Sequence, residues 1–232
     1  MPPSLSALVP VRNVQNVLEP VLVSMLETLA ELTRPVELIV IDDGSTDATI
    51  EVASEMTIEY PQIRVIRYGQ ARGWAEAIRV GLAEASGQIL FFEEPGCRLP
   101  LEELALLWNA VAKHPVVIGR PAGAGWRSGC PSLGTAPQED STYQFVRRQT
   151  LQRVASRLSD AISFRQLLLQ EGIAWQERII SARPRRECEI LYPTAQKPES
   201  LPERTDRPQP HASPPNYLVH LVEEKVPEYW EE

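Results

Sequence analysis

Residues 36–47 read Val-Glu-Leu-Ile-Val-Ile-Asp-Asp-Gly-Ser-Thr-Asp. The uninterrupted apolar run Leu38 to Ile41 has no alternation. It therefore predicts a strand buried on both faces, as in a parallel sheet covered by helices. The run stops at two carboxylates and a glycine, and Ser45, Thr46 and Asp47 then offer caps for a new helix. Open α/β sheets bind ligands outside the carboxyl ends of their strands. Asp42 and Asp43 stand at such an end, and two adjacent carboxylates exceed what a helix cap requires.

Working outward, the chain alternates strand and helix. Leu5 to Val11 reads as a first strand. Val17, Leu18, Val21, Leu22, Met25, Leu29 and Leu32 follow at helical spacing within 15–33. After the 36–41 strand come a helix over 47–57, a strand over 62–68 and a helix over 74–86 that ends at Gly87. A strand over 89–92, a helix over 101–113 and a strand over 116–118 complete this half. Such alternation predicts a mostly parallel, Rossmann-like sheet with right-handed crossovers. The turn after the first strand, Pro10-Val11-Arg12-Asn13, carries no G-x-G-x-x-G, so a dinucleotide site is not supported. A nucleotidyltransferase is disfavoured for the related reason that no glycine-rich phosphate loop follows this strand.

Residues 119–138 are rich in Gly, Pro and Ser and read as a loop. A strand running into a helix over 143–158, a helix over 164–170 and a final strand over 173–181 are expected next. Composition changes at Pro193: seven prolines fall between Pro193 and Pro215, too many for a packed element. The expected division is therefore a folded domain over 1–192 and a disordered Pro-rich tail over 193–232. The tail holds eight acids and four bases, with an amphipathic patch at Tyr217, Leu218, Leu221 and Val222 that offers a docking element for a protein partner.

Bulk composition narrows the function. A net charge of −8 over 232 residues argues against a nucleic-acid binder, which needs a basic face. Val17 to Leu32, the most apolar stretch, is broken by Glu19, Glu27 and Glu31, so no transmembrane segment is expected. The first residues lack the basic-then-apolar pattern of a signal peptide. Cys97, Cys130 and Cys188 are odd in number and show no metal-ligand spacing. Together these point to a reducing, cytoplasmic setting. His114, before Pro115, reads as a helix C-terminal cap.

Four strand ends carry the remaining signal: Val9-Pro10-Val11-Arg12-Asn13, Ile41-Asp42-Asp43-Gly44-Ser45, Gln70-Ala71-Arg72-Gly73 and Phe91-Phe92-Glu93-Glu94-Pro95. Their order resembles family 2 glycosyltransferases of the GT-A fold, particularly polyprenyl-phosphate sugar synthases. Those follow V-P-x-x-N-E, V-D-D-G-S-x-D, a G-x-x-x-A-x-x-x-G helix and a D-x-D after an apolar strand. The stretch Gly73 to Leu82 and then Ala85 to Phe92 keeps that order, with the resemblance covering about residues 5–118. It resumes at Tyr143-Gln144-Phe145-Val146-Arg147-Arg148 and over 164–186.

The resemblance implies a GT-A fold and a nucleotide-diphosphate-sugar ligand. It places Asp43 at the edge of a uracil or guanine ring, where a carboxylate accepts base N–H donors. Asp42 stands beside it. Pro10 and Arg12 would line the base pocket, and Arg72 would meet phosphate oxygens bidentately. Gly73, Ala77 and Gly81 are expected to let a helix pack closely on the sheet.

The pattern departs at the metal side. The family's D-x-D becomes Glu93-Glu94-Pro95. Glu93 and Glu94 remain candidates for ribose or metal contact, with Glu94 the one for the metal, but Pro95 has no ligating atom. A Mg or Mn cation would hold the diphosphate if the chain is active. Asn-Glu becomes Asn13-Val14, and only Glu139 and Asp140 stand where an acceptor-side base is expected. Two readings stay open: a hexose transferase, and a non-catalytic relative that senses nucleotide sugar or serves as an interaction scaffold.

Overall fold

The computed structural model describes residues 3–97, 101–121, 142–180 and 191–192. The expected tail and its docking patch, Glu139, Asp140, Cys130, Cys188 and most of the 119–138 loop lie outside the described residues.

Among the described residues seven strands form one sheet: β1 (Leu5–Val11), β2 (Val36–Asp43), β3 (Ile63–Tyr68), β4 (Ile89–Glu93), β5 (Val116–Pro121), β6 (Tyr143–Arg147) and β7 (Gln176–Ile180). Their spatial order is β3-β2-β1-β4-β6-β5-β7. The first four are mutually parallel, and β5 runs parallel to β7. β6 is antiparallel to both β4 and β5, so the sheet is mostly parallel with one inserted antiparallel strand. From β1 the chain moves outward through β2 to β3, then returns to β1's other side as β4. That reversal leaves a crevice at the carboxyl ends of β1 and β4.

Among the described residues six α-helices cover the two faces: α1 (Leu18–Leu32), α2 (Thr49–Glu59), α3 (Trp74–Glu84), α4 (Leu104–Val111), α5 (Arg148–Val154) and α6 (Phe164–Gln170). Leu38, Ile39, Val40 and Ile41 are all fully buried, as an apolar run without alternation requires. Leu38 and Val40 join the layer of Leu22, Met25, Ala53 and Leu107 from α1, α2 and α4. Ile39 and Ile41 join Ala77, Ile78, Leu151 and Leu168 from α3, α5 and α6. Gly81 is where α3 comes closest to the sheet. A Cβ there would lie 3.1 Å from Ile41 Cδ1 and 3.2 Å from a Leu8 methyl.

Several element ends differ from the sequence expectation. α1 starts at Leu18 rather than residue 15, and the turn before it is tied to the start of α2, with Val14 and Gln15 N–H groups donating to Thr49 and Asp47. α3 stops at Glu84 rather than residue 86, where Glu37 accepts from Ser86 and Ser6 from Gly87. The expected 101–113 helix is a 3-10 turn (Leu101–Glu103) followed by α4. β7 starts at Gln176 because Ile173 N–H closes the end of α6 on Leu168 O. Among the described residues no helix is long and apolar enough to cross a membrane.

Candidate functional site

The four strand ends singled out in the sequence are joined at the carboxyl edge. Asn13, at φ 53°, donates from its backbone to Ser45 Oγ at 3.0 Å and accepts from Thr46 N at 2.8 Å. Val14 N donates to Thr49 Oγ1 at 2.8 Å, and Gln15 Oε1 accepts from Ala48 N at 2.7 Å. Asp47 accepts from Gln15 N and from the backbone of Thr49, satisfying the first amide of α2 while it ties two turns together. Trp74 Nε1 donates to Glu93 O at 2.9 Å, bringing the start of α3 to the end of β4.

Asp43 is fully buried. Its Oδ1 accepts from Arg72 N at 2.6 Å, and its Oδ2 from Gly73 N at 3.1 Å and Tyr192 Oη at 2.6 Å. No donor comes from its own helix, so Asp43 is not a helix cap. Gly44 makes the arrangement possible. It adopts φ +68°, and a Cβ there would stand 2.6 Å from Ala71 N and 2.8 Å from Gln70 C. The loop carrying Arg72 and Gly73 is thereby pressed onto the end of β2.

Asp42 is also fully buried, but its partners differ. Oδ1 accepts from Ser45 N at 3.1 Å, while Oδ2 has no hydrogen bond and lies 3.8 Å from Arg67 Nε on β3. Burial pushes its carboxyl above the ordinary value, against the pull of Ser45 and Arg67. The Arg72 guanidinium sits over the Tyr68 ring, 4.8 Å from its centroid, a cation–π placement at an exposed position. Burial, with Glu76 nearby, pushes the Tyr68 phenol up to about 12.

A cavity of about 20 Å³, room for a single water, opens between β1 and β4, lined among others by Pro10, Glu93, Glu94, Leu191 and Tyr192. Pro10, Glu93 and Glu94 are therefore brought together, and Asp43 adjoins them through Tyr192. Arg12 reaches the same place by its backbone, which donates to Leu191 O at 3.1 Å. Gly73, expected to serve close packing, has another duty. At φ +96° it starts α3, and a Cβ there would collide with the Asp160 carboxylate. A larger cavity of about 630 Å³ lies at the opposite, amino-terminal end of β4, beside Gln88, Trp108 and Arg148.

Glu94, the sequence candidate for a metal, is 6% exposed. Its Oε1 accepts from Phe164 N at 2.6 Å, and its Oε2 from Thr142 N at 3.2 Å and Thr142 Oγ1 at 2.5 Å. Phe164 opens α6, so the carboxylate satisfies one of that helix's orphan amides. With both oxygens so engaged and Pro95 following, the donors here do not fit a divalent cation. Among the described residues no group of three His, Cys, Asp or Glu side chains is placed to hold one. Sequence reasoning missed Tyr192, Thr142 and Asp160, and no motif flags them.

Comparison with known proteins places the chain in a family and a fold. The description "Glycosyl transferase family 2" matches residues 6–168. Dolichol-phosphate mannosyltransferase of Pyrococcus furiosus is 35% identical over 75 residues, 32% of this chain and 21% of that protein. Dolichol-phosphate mannosyltransferase of Saccharomyces cerevisiae is 28% identical over 89 residues, 38% of this chain and 33% of that protein. The matched stretches thus span no more than 33% of these curated relatives. Glucosyl-3-phosphoglycerate synthase from Mycobacterium tuberculosis, solved with Mn2+, UDP and glucosyl-3-phosphoglycerate, superposes with a TM-score of 0.50 at 22% identity. That superposition covers 79% of this chain and 72% of the other, and it shows a shared fold.

Proposed function

We propose, because this chain belongs to glycosyl transferase family 2, that its carboxyl-edge crevice binds a nucleotide-diphosphate sugar without a cation at Glu94 and without turning it over. In this reading Asp43 takes the N–H edge of a uracil or guanine ring, and Pro10 and Arg12 line the base pocket. Arg72 meets the diphosphate, Glu93 the ribose, and Asp42 shapes the turn beneath. The observation that carries the non-catalytic choice is the bonding of Glu94 to Thr142 and Phe164. Transfer from a nucleotide sugar with a metal requires carboxylates turned toward the diphosphate, and this one faces a helix start.

The second reading is a hexose transferase using Mg or Mn. It is favoured by the Mn2+ and UDP held by the mycobacterial synthase and by the transferase names of the curated relatives. Isothermal titration with UDP-, GDP- and dTDP-sugars, with manganese and with EDTA, separates the two. The proposal expects one nucleotide to bind with the same Kd in both buffers. Binding that requires manganese, or release of hexose from the donor, overturns it in favour of the enzyme.

A further inference from the structure

Leu191 and Tyr192 lie across the very groups that a nucleotide would use. Leu191 is 4% exposed and packs in the β1–β4 layer. Its carbonyl accepts from Arg12 N at 3.1 Å, and the Tyr192 carbonyl accepts from Gly96 N at 2.9 Å. These two bonds pin the segment to the ends of β1 and β4. Between them the Tyr192 hydroxyl donates to Asp43 Oδ2 at 2.6 Å.

Consider what a nucleobase would meet. The uracil or guanine ring edge offers an N–H donor, and Asp43 offers acceptor oxygens. Two of the donors now on Asp43 are amides of the Arg72–Gly73 backbone, fixed by the tight approach of that loop to Gly44. The third is the Tyr192 phenol, a donor of the same kind as a ring N–H. With it in place the carboxylate has no exposed surface. Burial and the bond to Asp43 both push the phenol above its ordinary value, so it remains a donor across the neutral range.

We propose that Leu191–Tyr192 is an autoinhibitory strap: the Tyr192 hydroxyl stands in for the base N–H on Asp43, and a nucleoside diphosphate binds by displacing it. The inference rests on the reading of Asp43 as the base acceptor. A strap of this kind lowers apparent affinity by the fraction of molecules in which it is open.

The test titrates UDP and GDP, in EDTA, into the full chain, Tyr192→Phe and Tyr192→Ala, with thermal unfolding of each protein alone. Losing a hydrogen bond to a charged acceptor should tighten the preferred nucleotide about tenfold in Tyr192→Phe, and at least as much in Tyr192→Ala. The nucleotide-free variants should meanwhile unfold at lower temperature, because a contact of the closed state is gone. A gain in affinity with a loss in Tm is a combination that a site-building tyrosine cannot give. Equal or weaker nucleotide binding by Tyr192→Phe overturns the strap and leaves the nucleotide reading standing. Absence of binding in all three proteins overturns both.

Discussion

Asp160 Oδ1 accepts the backbone N–H of Ala75 at 2.7 Å, so a residue from the turn between α5 and α6 closes the amino end of α3. The helix cannot cap itself, because its own cap position is Gly73, held at φ +96° directly beneath that carboxylate. The same loop sends Arg72 and Gly73 amides to Asp43. The α5–α6 turn therefore braces the loop that holds the candidate base acceptor.

Asp160→Ala should cost about 1 kcal/mol, the usual loss for a removed cap, and lower Tm by roughly 2–4 °C. Asp160→Asn, which keeps an acceptor oxygen, should recover most of the difference. Thermal unfolding by circular dichroism reads both, and equal Tm values for wild type and Asp160→Ala would remove the brace from the account.

Gly44→Ala should be far more damaging than its size implies. The residue has φ +68°, and the added methyl would meet backbone atoms of Gln70 and Ala71 rather than a yielding side chain. Strain and displacement together should exceed about 2 kcal/mol. Gly69→Ala, on the loop that Gly44 faces, meets nothing within 4 Å and should stay within about 0.5 kcal/mol of wild type. Urea unfolding of the pair tests whether the close approach, rather than the loop in general, matters.

Much of this was legible in the chain. The apolar run 38–41 specified a doubly covered strand, and the Asp-Asp-Gly-Ser sequence after it marked that strand's carboxyl end. Period and composition located every α-helix among the described residues, with α6 matching to the residue. What stayed hidden was long-range. Asp43 meets Tyr192 across 149 positions, Ala75 meets Asp160 across 85, and Glu94 meets Thr142 across 48. A tyrosine, an aspartate and a threonine in loops carry no periodic signal, so their partners emerge only when the sheet order is known. β6 was equally opaque, since local pattern does not reveal that a strand inserts antiparallel between β4 and β5. An acid such as Glu94 at the end of a buried strand reads the same in sequence whether it faces a ligand or a helix start.

The amino end of the sheet should respond to acid. Glu37 accepts from Ser6 Oγ and from the backbone and hydroxyl of Ser86, with Arg64 close by. Burial pushes its carboxyl up, but these donors and the Arg64 charge outweigh it and hold it below the ordinary 4.5. A depressed carboxyl stabilises the fold fully above 4.5, and that stabilisation is lost as pH falls through the lower folded value. Glu37→Gln should therefore be less stable than wild type at pH 7, with the gap closing below 4.5. A gap independent of pH would contradict the assignment.

Glu94→Gln separates a structural carboxylate from a metal ligand. An amide keeps one acceptor oxygen but sets its NH2 against either the Phe164 or the Thr142 donor, and that clash of buried donors should cost about 1–3 kcal/mol. Differential scanning fluorimetry should show the loss, unchanged by manganese. An unaltered Tm accompanied by the disappearance of manganese-dependent nucleotide binding would restore Glu94 to the metal.

The most direct measurement is a crystal structure of the chain soaked with UDP or GDP in the presence of manganese. The account predicts the base edge within hydrogen-bond distance of Asp43, Tyr192 Oη moved off that carboxylate, and Glu94 still bonded to Thr142 and Phe164 with no cation on it. A manganese ion bridging Glu94 to the diphosphate, or a nucleotide seated in the cavity beside Arg148 with Asp43 untouched, would contradict it.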